Sequence, residues 1–247
     1  TAEEVSTFLI EKKANAKQVE DILNELLAQK KLKKNGNIYF LKKDQTIFKL
    51  RTSREKISAK KYKKAKFYAN LLKIIPSVKM VTISGALAMQ NSHKQDDIDL
   101  AIVTSKNLLY TTRFFANLVL LPFKRDPKGK NISDRACLNL FLDESSLVIK
   151  DQNLYTAHEL AQMKLLWDRD NIYIKLVINN QWVKKFLPNW YARVESGKWK
   201  VKNRQKATLK PRFLTLGLRL LETFLKNLQL FYMSSKITTE KIGKKQI

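Results

Sequence analysis

Apolar positions recur along the chain at two different periods, and the switches between them divide it into segments. Ala2 to Lys12 and Ala16 to Leu32 are predicted helices, the second placing Val19, Ile22, Leu23, Leu26 and Leu27 at helical spacing. Lys33 to Leu41 follows, with Asn35-Gly36 between a basic and an apolar-aromatic segment, a pattern that predicts a hairpin with a type I′ turn. Helix, helix, hairpin is the order of a winged helix. Lys17, Lys30, Lys31, Lys33 and Lys34 would supply phosphate contacts if that module bound DNA. Glu20, Asp21 and Glu25 on the same helix would repel phosphate, which favours docking to protein.

Thr46 to Ile75 is predicted to be one long helix, its apolar stripe packed, its basic side open and its end set by Pro76. Lys49, Arg51, Arg54, Lys56, Lys60, Lys61, Lys63, Lys64, Lys66 and Lys73 make that basic side. From Val81 the pattern changes to strand, glycine turn at Ser84-Gly85, a polar patch, then a second strand over Ile98 to Val103. Asn107 to Phe123 reads as helix first and strand over Leu118 to Leu121, and Pro122 to Ser133 as loop. Ala136 to Leu142 reads as a buried strand with one polar residue inside it, Asn139. The remainder reads as helical. Thr156 with Glu159 three positions on forms a predicted capping box. Gln181 to Leu187 is a short helix and Glu195 to Gln205 a basic loop. Phe213 to Met233 is a long helix apolar on most faces, expected to lie buried among other elements, with a frayed end beyond it.

Composition adds a partner class. The 247 residues are 44% hydrophobic, enough for a substantial core, and 48 Lys+Arg against 22 Asp+Glu leave a net charge of +26. Such an excess favours a polyanionic partner, nucleic acid (RNA or DNA) or an anionic membrane, although lysines spread along the whole chain equally describe a solvated basic surface. Arg219, Glu222 and Lys226 interrupt the most apolar late segment, and no N-terminal basic-then-apolar signal is visible, so no membrane association is expected. The single cysteine, Cys137, excludes an intrachain disulfide and fits the reducing cytoplasm.

The chemistry concentrates between Val81 and Val103. Asp97 and Asp99 stand at i and i+2 on a strand, so both carboxylates project from one face while Ile98 and Leu100 turn inward. That arrangement can hold a divalent metal, since Mg²⁺ takes few protein carboxylates and keeps waters and phosphate oxygens as its other ligands. Asp96 points to the other face. His93 reads as an exposed loop histidine, and His158 and Glu159 as cap and packing residues.

Ser84-Gly85-Ala86-Leu87-Ala88-Met89 followed by Asp97-Ile98-Asp99-Leu100 resembles the signature of the polymerase-beta-like nucleotidyltransferases. The whole chain, through segments such as Leu154 to Leu160 and Trp182 to Asn189, is similar to a prokaryotic group of predicted nucleotidyltransferases with an N-terminal winged-helix-like module. The resemblance implies an α/β (α+β) fold: a winged-helix-like module over 1–45, a basic connecting helix over 46–78, a small mixed-sheet core over 79–150 and an α-helical region over 151–247. It implies that Ser84, Gly85 and Ala86 bind the triphosphate of an NTP and that Asp97 and Asp99 hold Mg²⁺ (or Mn²⁺). Asn139 falls where the superfamily places its third catalytic carboxylate, with Asp134 or Asp143 as substitutes under another register, and Ala86 stands where many members have serine. The implied activity is transfer of a nucleoside monophosphate to an acceptor hydroxyl, most simply on nucleic acid. The alternative is a non-catalytic RNA/DNA-binding protein that retains a degenerate nucleotidyltransferase fold. Oligomeric state is left open.

Overall fold

Alternation along one strand sets the architecture. On β4 (Ile98–Thr104), Ile98, Leu100 and Ile102 pack into one apolar cluster while Ala101 and Val103 pack into another, so the sheet is covered on both faces. The computed structural model describes residues 1–41, 46–126, 129–197, 204–205 and 215–243. Over these residues the protein is a mixed α/β structure. β3 (Val78–Ile83) pairs antiparallel with β4 on one side and with β6 (Lys164–Arg169) on the other. β5 (Ala136–Asp143) runs parallel to β4, and β7 (Arg204–Gln205) parallel to β6, giving the order β5-β4-β3-β6-β7.

The first face is covered by α3 (Thr46–Leu72) and α5 (Leu109–Val119). Ser58, Lys61, Ala65, Tyr68, Ala69 and Leu72 form the buried seam of α3 at three- and four-residue spacing. Lys61 therefore belongs to the core side, not to the open basic side. The opposite face is covered by α6 (Leu154–Gln162), α7 (Ile172–Asn179), α8 (Val183–Phe186) and α9 (Pro188–Glu195), with Tyr173 and Trp190 fully buried. The region expected to be helical thus contributes an interior strand, β6, whose run Leu165, Leu166 and Trp167 is covered by helices. Leu118 to Leu121 is not a strand. It closes α5 and enters a 3₁₀ turn at Leu121–Phe123, where Pro122 is tolerated in the first positions.

At the N-terminus, α1 (Ala2–Thr7), α2 (Ala16–Ala28) and a hairpin of β1 (Lys33–Asn35) with β2 (Ile38–Phe40) follow one another as expected. The loop is Gly36-Asn37, and only Gly36 is left-handed, with φ of 58°; a type I′ turn needs both central residues there, so the turn is of the glycine-first kind. This segment docks on its own chain. The Glu11 N–H donates to the Phe186 carbonyl at 2.8 Å and the Asn189 amide donates to the Ser6 carbonyl at 2.7 Å.

The last helix, α10 (Thr215–Gly243), extends past the expected fraying point and is not buried among other elements. Glu222 accepts from the N–H groups of Tyr110 and Thr111 at 2.8 and 2.7 Å, pinning α10 to the start of α5. Leu225 is buried, whereas Leu220, Phe224, Leu228, Phe231 and Tyr232 are exposed. Phe213 and Leu214, and Lys198 to Asn203 of the expected basic loop, lie outside the described residues. Among the described residues no helix is long and apolar enough to cross a membrane.

Asp168 on β6 is buried, and its carboxylate accepts from the Ile172 N–H at 2.8 Å at the start of α7. Burial pushes its carboxyl up from near 3.8 to about 6, against the lowering effect of the backbone donors. The folded state holds this proton more tightly than the unfolded chain does, so stability falls as pH rises between about 4 and 6. Asp168→Asn keeps an acceptor without the buried charge. It should raise stability at pH 7 to 8 by on the order of 2 kcal/mol, with the gain vanishing toward pH 4, as read by thermal denaturation across that range.

Candidate metal centre

Three elements meet at the carboxylate end of β4. The turn after β3 opens α4 (Gly85–Ala88), and the Ser84 N–H donates to the Asp99 carbonyl at 3.1 Å, holding the turn beside the strand. Gly85 has φ of 62°, and a Cβ placed on it would lie 2.9 Å from Asp99 Oδ2. Both the left-handed backbone and this close approach require glycine. Ala86 is the next residue of α4, with its carbonyl accepting from the Asn91 N–H at 2.9 Å.

Asp97 and Asp99 project to the same side, as their spacing predicts, and Cys137 of β5 joins them. One ligand atom from each of the three lies within 4.8 Å of the others. The parallel register pairs Asp99 with Cys137, then slips between Leu100 and Ala101, where Leu138 and Leu140 are the partners. Asn139 is the extra residue of that bulge. It lines a cavity next to Ser84, outside the three-residue cluster, so the position facing the two carboxylates is taken by Cys137 and not by Asn139.

The electrostatics of the cluster are those of crowded anions. Burial and then the neighbouring Asp97 push the Asp99 carboxyl up, against a hydrogen bond from Cys137. Burial and Asp99 together push the Cys137 thiol to about 12, so it stays protonated. Arg125, which the sequence did not single out, donates to Asp97 Oδ2 at 2.8 Å from the loop before β5. Only strand pairing brings a residue so distant in sequence to the site.

The remaining candidates are occupied elsewhere. Asp134 accepts from Lys61 at 2.8 Å and Lys64 at 2.7 Å, which hold its carboxyl low despite burial. Asp143 sits at the far end of β5, accepting from the Asn107 N–H at 2.7 Å and from Ser145. Neither supplies a third carboxylate. Asp96 accepts from the His93 N–H at 2.7 Å, and the His93 ring meets Arg54 at 2.8 Å. His158 packs on Phe8 with ring centroids 6.0 Å apart. Glu159 is no cap: Asn153 caps α6, with Thr156 as its reciprocal partner. Glu159 instead faces toward the site, its carboxyl raised by burial and then by Asp99.

Comparison with family models, with curated proteins and with solved structures finds no match to this chain.

Gly85→Ala should cost roughly 1–2 kcal/mol from the left-handed backbone alone. It should cost less in an Asp99→Ala background, where the carboxylate is absent. Chemical denaturation of the two single variants and the double variant reads this coupling; an additive result would show that the approach of Asp99 is unimportant.

Proposed function

We propose that the protein is a nucleotidyltransferase that moves a nucleoside monophosphate from an NTP to an acceptor hydroxyl on RNA or DNA. The observation that carries this reading is the convergence of Asp97 and Asp99 beside the left-handed Gly85 turn. The residues fit a divalent cation: Asp99 is raised partly by its repulsion from Asp97, a repulsion that a cation between them would relieve. Asp97 and Asp99 would hold Mg²⁺ or Mn²⁺, while the protonated thiol of Cys137 is a poor ligand for so hard an ion. When bound, the ion neutralises phosphate oxygens and activates the attacking hydroxyl.

The chain's own residues supply the positioning. Gly85 lets the backbone at the Ser84-Gly85 turn reach the triphosphate, with Ala86 as the next backbone donor. Arg125 can turn from Asp97 to the phosphates. The acceptor oxygen bonds to the α-phosphorus, the bond to the bridging oxygen breaks, pyrophosphate leaves with that electron pair and the hydroxyl proton passes to water. Lys56, Lys60, Lys63 and Lys66, exposed along α3, provide a track for a nucleic-acid backbone. The helix pair and hairpin of the N-terminus serve as a winged-helix-like docking module, and the free thiol of Cys137 suits a cytoplasmic setting.

One observation favours a second reading. Cys137 and Asn139 leave the β5 side of the site without a negative charge, as in a protein that keeps the fold and binds RNA or DNA without catalysis.

Incubation with each labelled NTP, Mg²⁺ or Mn²⁺, and total cellular RNA separates the two. Transfer should appear in the wild type and fall by at least about 100-fold in Asp97→Ala and Asp99→Ala, or on chelation of the metal. Absence of transfer, with RNA affinity that drops steeply with salt and survives both substitutions, would establish the non-catalytic reading.

A further inference from the structure

A cavity of about 350 Å³ lies between the bulge of β5 and helix α6, with Ser84 of the glycine turn in its lining. That is at the lower end of the range for small-molecule sites. Leu140, Leu142, Leu160 and Met163 contribute apolar wall, and the polar side chains of the lining are those of Ser84, Asn139, Lys150, Tyr155, Thr156 and Glu159. Ser84 is 5% exposed, and among the described residues its Oγ has no hydrogen-bond partner. A buried hydroxyl left without a partner in a folded protein costs free energy, and a ligand group that bonds to it removes that cost. The bulge turns both Asn139 and Leu140 into the cavity, where a regular strand would have sent one of them to the opposite face.

These groups define what fits. The Glu159 carboxylate only accepts hydrogen bonds, the Asn139 amide both donates and accepts, and the Ser84 hydroxyl can do either. Between the apolar walls, the Glu159 carboxylate favours a flat, donor-rich group. Among nucleobases, guanine presents two adjacent N–H donors on one edge, matching a carboxylate in the two-bond manner, with a carbonyl next to them for an amide or hydroxyl donor. Uracil and thymine would set carbonyl oxygens against the carboxylate. Adenine and cytosine offer one amino group beside a ring acceptor.

We infer that this cavity is a nucleobase pocket that selects guanine through Glu159, Asn139 and Ser84. The inference rests on the nucleotidyltransferase reading for its physiological ligand, a guanine nucleotide. The pocket itself can be probed with nucleosides that carry no phosphate and need no metal.

Guanosine, adenosine, cytidine and uridine titrated by calorimetry against the full chain should bind with guanosine tightest. Glu159→Gln should lower guanosine affinity by about 10- to 100-fold and erase the preference, since one acceptor of the charged pair becomes a donor. Val148→Trp, which places a large ring at the cavity wall, should abolish nucleoside binding, with circular dichroism confirming the fold. Equal affinity for all four nucleosides, no binding of any, or guanosine binding unchanged in Glu159→Gln would overturn the inference. Mg²⁺-dependent binding of inorganic tripolyphosphate, lost in Asp97→Ala, reports separately on the nucleotidyltransferase reading. Tripolyphosphate bound without nucleoside discrimination leaves that reading standing and removes the guanine pocket. Guanosine bound without metal-dependent polyphosphate does the reverse.

Discussion

The ammonium of Lys61 is the constraint on which the candidate site depends. It is 2% exposed and donates to the carbonyls of Lys94 and Asp96 at 3.2 and 2.6 Å and to Asp134 Oδ1 at 2.8 Å. A charge in such a place is tolerated only when its donors are satisfied and a counter-charge is near. All three Lys61 bonds go to two loops, one leading directly into Asp97 and the other into Cys137. The Tyr68 hydroxyl adds a bond to the Asp134 carbonyl at 2.8 Å from the same helix. Helix α3 therefore acts as a clamp that fixes the strand ends carrying Asp97 and Cys137 relative to one another.

Beyond that clamp, the site is assembled by backbone features that leave little freedom. Gly85 lets the turn close against Asp99 without a clash, and the bulge in β5 sends Cys137 to the carboxylates and Asn139 to the cavity. Arg125 balances part of the negative charge at Asp97. Asp99 has the crowded, partly desolvated environment that raises a carboxyl, and such perturbed groups concentrate where proteins do chemistry. Helix α10 is fixed to α5 through Glu222 and Gln229, but much of its apolar surface is exposed.

Much of the fold was readable from the order of residues, and the misreadings share physical causes. The i, i+2 spacing of Asp97 and Asp99 follows from the pleat, and their joint projection needed nothing more. The choice between Cys137 and Asn139 needed the bulge, which simple alternation does not reveal. Lys61 was one lysine among many on a basic helix, and only its three distant acceptors distinguish it. Thr156 and Glu159 match a capping pattern, but Asn153 with Thr156 matches it one turn earlier and wins, which frees Glu159. An apolar helix reads as buried, yet α10 meets too few partners to be so. Strand β6 escaped notice because Leu165, Leu166 and Trp167 form a short continuous apolar run that periodicity does not assign to strand or helix.

Strand β6 also imposes an order on the birth of the protein. Ile83 of β3 pairs with Lys164, far later in the chain, whereas its pairing with Leu100 closes a much shorter loop. During synthesis β3 and β4 can join as soon as both have emerged, but the other edge of β3, in a run of nearly continuous apolar residues, stays open until Arg169 has left the ribosome. An unpaired apolar edge recruits other strands, including those of neighbouring nascent chains. The interior strand that completes the sheet is thus also the one whose late arrival leaves the growing polypeptide exposed to misassembly.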